Sequence, residues 1–207
     1  MPAPDPQQAD DGFYFDLDSP RCYLVAEQIL EALPGPLEWR PVLASRLGAG
    51  DAKDDGEHAR DGDELREEVA AEATRLGLQP LRWPPADGAG SERAMLAATY
   101  AKSIGRTVPF AQAAFRQAFA GGQDLGRTEP VLIAGAACEI HPRALLRALE
   151  SRMVQMQLAS ATEAAIRAGI RRLPAIVRHG CLFSGGNALE QARASLALPP
   201  AREACPS

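Results

Sequence analysis

The chain has 207 residues, 46% of them hydrophobic and 24% charged, which is enough to bury the core of one soluble globular domain with room for an insertion. A formal net charge of -5 gives no electrostatic reason for a nucleic-acid or acidic-membrane partner. The four cysteines, Cys22, Cys138, Cys181 and Cys205, lack zinc or redox spacing, which argues against a metal site and against a disulfide framework.

The first residues, MPAPDPQQADDG, carry no basic region followed by an apolar run, and no stretch reaches the roughly 18 apolar residues of a membrane span. The expectation is a cytoplasmic protein with a flexible leader over residues 1–12. Lysine occurs only at Lys53 and Lys102, and this arginine bias with abundant Ala, Gly and Pro points to a GC-rich bacterial genome.

Phe13 to Leu17 reads as a short buried strand rich in aromatics. Ser19 offers a helix-capping hydroxyl, Pro20 suits the first helical position, and Cys22, Val25, Ala26, Ile29, Leu30 and Leu33 follow at helical spacing. Pro34-Gly35-Pro36 ends that helix, and Leu37 to Leu43 alternates as a second strand. The three elements form a βαβ unit with parallel strands. Residues 48–60 are acidic and glycine-rich and read as a mobile loop.

From 61 to 168 the pattern is helical. Leu65, Val69, Ala73 and Leu76 make one stripe ended by Gly77, Ser91 offers a cap to a helix reaching Gly105, and Phe110, Ala114, Phe115 and Phe119 make another stripe. Thr128-Glu129-Pro130 and Pro142 open further helices. The chain then returns to strands, with Leu173 to Arg178, a His179-Gly180 turn, Cys181 to Phe183, and a last helix that Asn187 can cap. Residues 200–207 read as a flexible tail.

A βαβ unit and a ββα unit separated by helices are the two halves of a thioredoxin fold. Here the detail resembles a family: Asp16-Leu17-Asp18-Ser19-Pro20-Arg21-Cys22-Tyr23-Leu24 is similar to the DFxSPYSYL segment of the 2-hydroxychromene-2-carboxylate isomerases and kappa-class glutathione transferases. Leu173-Pro174-Ala175-Ile176-Val177-Arg178 with Gly180 to Leu189 is similar to their GVPTFVVxGELFWGQDRL segment. Leu81-Arg82-Trp83-Pro84-Pro85 looks like the segment that enters their helical domain.

The resemblance implies an α/β, DsbA-like thioredoxin fold, with residues 13–47 and 169–199 forming the thioredoxin-like domain and 61–168 an inserted helical domain. It implies glutathione or another low-molecular-weight thiol as the bound sulfur, and an aromatic or electrophilic substrate between the domains. Ser19 would hold that sulfur as thiolate, since a helix N-terminus and a hydroxyl donor both favour the anion. Pro20, Arg21, Cys22, Leu173, Pro174, Gly185 and Asn187 would surround the thiol, with Pro174 as the cis proline, and Trp83 and Pro84 would line the substrate pocket. Members are often dimers, so a homodimer is compatible.

Each residue also has a plainer role. Ser19 before a proline serves as a simple cap, Cys22 falls on the apolar side of its helix as an inert thiol, and Arg21 faces either ligand or solvent. His141 and His179 read as structural or exposed, and His58 falls in the mobile loop. The chain departs from the family pattern at Arg21 for tyrosine, Ser184 for tryptophan and Asn187 for an acid, and Ala86 to Glu92 replaces a Pro-Asn pair. These departures fall on thiol and substrate contacts. Three activities stay open: a thiol-dependent isomerase or transferase, a DsbA-type oxidoreductase with a degenerate S-P-R-C site, and a non-catalytic thiol or peptide binder.

Overall fold

The computed structural model describes residues 10–48, 62–85, 88 and 90–196. Residues 1–9, 49–61 and 197–207, and with them His58, Cys205 and most of the segments expected to be flexible, lie outside them. The described chain runs β1 (Gly12–Phe15), α1 (Pro20–Ala32), β2 (Trp39–Pro41), α2 (Ala44–Leu47), α3 (Gly62–Arg75), α4 (Glu92–Ser103), α5 (Thr107–Phe119), α6 (Thr128–Ala137), α7 (Pro142–Leu149), α8 (Arg152–Arg167), β3 (Ala175–Arg178), β4 (Cys181–Ser184) and α9 (Ala188–Leu196).

The four strands form one sheet in the order β2-β1-β3-β4. β1 and β2 pair in parallel, as a crossover through α1 requires, while β3 pairs antiparallel with both β1 and β4. This is the mixed α/β thioredoxin-like fold, with the helical segment α3 to α8 between the βαβ and ββα halves.

Both faces of the sheet are covered, and strand alternation decides which residue meets which layer. Phe13, Phe15 and Trp39 face α1 and the helical segment; Phe13 and Trp39 meet edge to face at 5.0 Å, and Phe15 reaches Phe115 of α5 at 5.9 Å. Tyr23 of α1 stacks on Phe119 at 5.6 Å. These aromatics place the sheet and the helical segment in one continuous core, which also holds Val69, Met95 and Leu145. On the opposite face Tyr14, Val42, Ala175 and Val177 form a smaller cluster with Leu47 of α2 and Ala165 of α8.

Several boundaries differ from the sequence reading. Gly12, expected in the leader, belongs to β1 because its backbone pairs opposite Val177. The strands stop short of Leu17 and Leu43, since the chain turns at Asp16 and enters the unforeseen four-residue α2. The 81–85 segment does not open the helical region, because α3 precedes it; it crosses between α3 and α4, with the Arg82 amide donating to the Phe119 carbonyl at 2.8 Å.

Candidate functional site

β1 delivers the chain to a turn, Asp16 to Ser19, from which α1 starts. Ser19 is the N-cap of α1 in extended backbone conformation, and its Oγ accepts from the Cys22 amide at 3.2 Å. The Ser19 amide donates to the Asp16 carbonyl at 3.1 Å. The side chain is half-buried, so the hydroxyl sits where the first N–H groups of a thirteen-residue helix converge.

Asp16, to which sequence reasoning gave no role, organises this turn. It is 3% exposed, and its carboxylate accepts from Ser91 Oγ at 2.5 Å, the Ala44 amide at 2.8 Å and the Asp18 amide at 3.0 Å. Burial pushes its carboxyl above the usual range, against the pull of those hydrogen bonds. Ser91 was expected to cap α4, but its hydroxyl is turned to Asp16 and makes no cap bond. One turn further along α4, Met95 Sδ accepts from the Leu17 amide at 3.3 Å. The start of α4 therefore clamps the turn, and the only hint in the sequence was an acid directly after the aromatic run Phe13 to Phe15.

Cys22 is fully buried, and burial pushes its thiol up to about 12 despite the Ser19 hydroxyl. Such a thiol stays protonated and out of reach of solvent, which leaves it inert as a nucleophile. Arg21, expected to face ligand or solvent, has a guanidinium nitrogen that donates to both carboxylate oxygens of Glu68 of α3, at 3.1 and 3.3 Å. Its positive charge is thus directed at the helical segment.

The second half of the site comes from the start of β3. The Leu173–Pro174 peptide is cis. The β1–β3 register pairs Tyr14 with Ala175, so continuing it brings Pro174 beside the end of β1, where the Ser19 turn begins. The Gly185 amide donates to the Pro174 carbonyl at 2.9 Å, and Gly185 holds φ +87, a conformation that favours glycine. Pro174 and Gly185 are buried, Leu173 half-buried and Asn187 exposed. Asn187 lies just before α9, its carbonyl accepting from the Gln191 amide at 3.0 Å.

Next to the turn, Leu17, Asp18, Pro84 and Asp124 line a narrow cleft of about 90 Å³ between the sheet side and the helical segment. Burial and the charges of Asp16 and Asp124 raise the Asp18 carboxyl. Of the two residues expected to line a substrate pocket, Pro84 lines this cleft. Trp83 sets its ring edge to face with Phe119 at 6.2 Å, under the Arg66 guanidinium at 5.5 Å. Ala86, Asp87 and Ala89 lie outside the described residues. No group of three or more metal-ligating side chains occurs among the described residues.

The turn thus combines a capping hydroxyl at a helix start with a buried cysteine, and the cis-proline segment lies beside the end of the same strand. The βαβ and ββα halves with a cis proline before β3 define a thioredoxin-like protein. Residues 12–197 match the DSBA-like thioredoxin domain family model, and the chain belongs to that family. Among solved structures it is similar to a 2-hydroxychromene-2-carboxylate isomerase (TM-score 0.79, 17% identity, covering 90% of this chain and 93% of that one). It is also similar to a probable DsbA oxidoreductase from Streptomyces coelicolor (0.70, 18%, 90% and 87%). A third is the cytosolic disulfide reductase DsbM from Pseudomonas aeruginosa, solved with GSH (0.60, 15%, 90% and 98%). At these identities the likeness is one of fold. A search of curated protein sequences finds no match. No described helix is long and apolar enough to cross a membrane.

Proposed function

We propose that this chain is a thiol-dependent isomerase or transferase in which Ser19 holds glutathione or an equivalent small thiol at the start of α1. The observation that carries this reading is the pairing of a half-buried capping hydroxyl at Ser19 with a Cys22 that is wholly buried and pushed up to about 12. The turn offers a donor for a sulfur anion, and the chain's own sulfur there is sealed off. The bound thiol supplies the nucleophile.

Each residue then has a defined task. The Ser19 hydroxyl accepts from the Cys22 amide and can turn its proton from the buried Cys22 thiol to an incoming sulfur, and the helix start favours the anion. The Leu173–Pro174 peptide, beside the end of β1, is placed for main-chain contact with a peptide-like thiol. Asp18 and Asp124 give the cleft a negative wall that complements an ammonium group on the thiol compound. Pro84 and Leu17 supply its apolar wall. A cytoplasmic setting, where small thiols are kept reduced, goes with this reading.

The competing activity, disulfide exchange through Cys22, needs an exposed thiol of low pKa, which burial opposes. Two assays separate the readings. Conjugation of a small thiol to an aromatic electrophile is expected from the wild type and is expected to fall at least tenfold in Ser19→Ala. Insulin-disulfide reduction that depends on Cys22, being lost in Cys22→Ser, would instead establish the oxidoreductase.

A further inference from the structure

A larger cavity, about 330 Å³, opens far from the Ser19 turn. It lies on the α8 face of the sheet, at the β2 edge and against the last turn of α4. Ser91 and Lys102 stand at opposite ends of α4, roughly 16 Å apart at about 1.5 Å per residue, so the end of α4 that clamps the Ser19 turn is not the end that borders this cavity.

The space exists because of the residues around it. α8 presents Ala161 and Ala164 to it, with Ala168 just past the helix end, all small side chains. Arg40 lines it beside Tyr14, its guanidinium carbon 5.8 Å from the centre of the Tyr14 ring. Gly12 makes that placement available, since a Cβ there would stand 3.0 Å from Arg40 Cδ and Nε. The Arg40 Nε is buried without a hydrogen-bond partner.

The cations at this cavity are less exposed than the acids that pair with them, and one of those acids, Asp10, also lines the cavity. The side chains of Arg40 and Lys102 are 22% and 33% exposed, whereas their partners Glu38 and Asp10 are 45% and 75% exposed. Arg40 and Lys102 share Glu38, and Arg40 also reaches Asp10 at 3.2 Å. A ligand carboxylate would exchange with Glu38 or Asp10 on these two cations, beside the alanines of the cavity wall. The volume suits a small molecule, and apolar walls with a few convergent polar groups are what such sites are made of.

We propose that this cavity is a second ligand site, selective for small flat carboxylates, with the acid group on Arg40 and Lys102 and the apolar body along the α8 alanines. It does not depend on the thiol reading of Ser19.

The test uses the full chain and 1-naphthoate, followed by protein NMR shifts or intrinsic fluorescence, with neutral 1-naphthamide as comparison. Saturable naphthoate binding in the millimolar range or tighter is expected, with naphthamide at least tenfold weaker. Lys102→Met should weaken naphthoate about tenfold, Ala164→Leu should abolish binding by filling the slot, and Ser19→Ala should change nothing. Ala164→Leu is read only where its circular dichroism matches wild type; Lys102→Met, on a partly exposed side chain, decides otherwise. No saturable binding, equal binding of the amide, binding untouched by Lys102→Met, or loss in Ser19→Ala would each overturn the proposal.

Discussion

Replacing Asp16 by alanine should destabilise the fold far more than the loss of one side chain suggests. The substitution strips an acceptor from Ser91 Oγ, the Ala44 amide and the Asp18 amide together. An unsatisfied buried donor costs about 1–3 kcal/mol, with Ser91 at the upper end because it is buried and the two amides at the lower end because water can reach them. The sum is about 3 to 5 kcal/mol, of which roughly 1 kcal/mol is offset because a carboxylate no longer has to be buried. Urea denaturation near pH 7 should therefore show a loss of about 2 to 4 kcal/mol, and a double-mutant cycle with Ser91→Ala should give coupling of about 1 to 2 kcal/mol.

The pH dependence has a definite sign. Burial raises the folded-state pKa of Asp16 above its unfolded value of about 3.9, so between the two the folded chain binds more protons than the unfolded one. The protonation-linked part of the stability is full below about 3.9 and is lost as pH rises through the raised folded pKa, while the hydrogen bonds to the carboxylate persist above it. Asp16→Asn should lack that decline when urea midpoints are compared from about pH 4 to 8. A loss under about 1 kcal/mol in Asp16→Ala, or a pH profile unchanged in Asp16→Asn, would refute the claim that Asp16 holds the turn.

Two further predictions concern the same end of the molecule and its sheet. Cys22 in the native chain should resist alkylation at least a thousandfold relative to the urea-unfolded chain, as read by peptide mass spectrometry, because it is fully buried and pushed up to about 12. Labelling within minutes under native conditions would show the site to be open. Gly12→Ala should cost about 1–3 kcal/mol by thermal or urea melting, because its Cβ would stand 2.7 Å from the Glu38 carbonyl, a backbone atom that cannot move aside. An unchanged melt would mean that β2 shifts freely against β1.

The sequence carried the architecture well wherever the signal was local. Ser19-Pro20 marked the start of α1, glycines such as Gly77 marked where helices stop, and the short apolar run Leu173 to Arg178 with the His179-Gly180 turn marked the closing hairpin. It carried the site less well, because what arranges the Ser19 turn comes from far along the chain. Asp16 meets a hydroxyl 75 residues away, and Leu17 meets a thioether 78 residues away. No periodicity encodes such contacts. Arg21 was ambiguous for the same reason, its partner Glu68 lying 47 residues on. Nor did any motif announce the cavity at Arg40, which depends on small residues of α8 at its wall and on a glycine of β1 that leaves room for the Arg40 side chain.

The most direct test of the account is calorimetric titration of the wild type and Ser19→Ala with glutathione and with other small thiols. Saturable binding of at least one thiol by the wild type, raising its melting temperature and weakening about tenfold in Ser19→Ala, is the result the account predicts. Equal affinity in both proteins, or no binding of any thiol by the wild type, would contradict it.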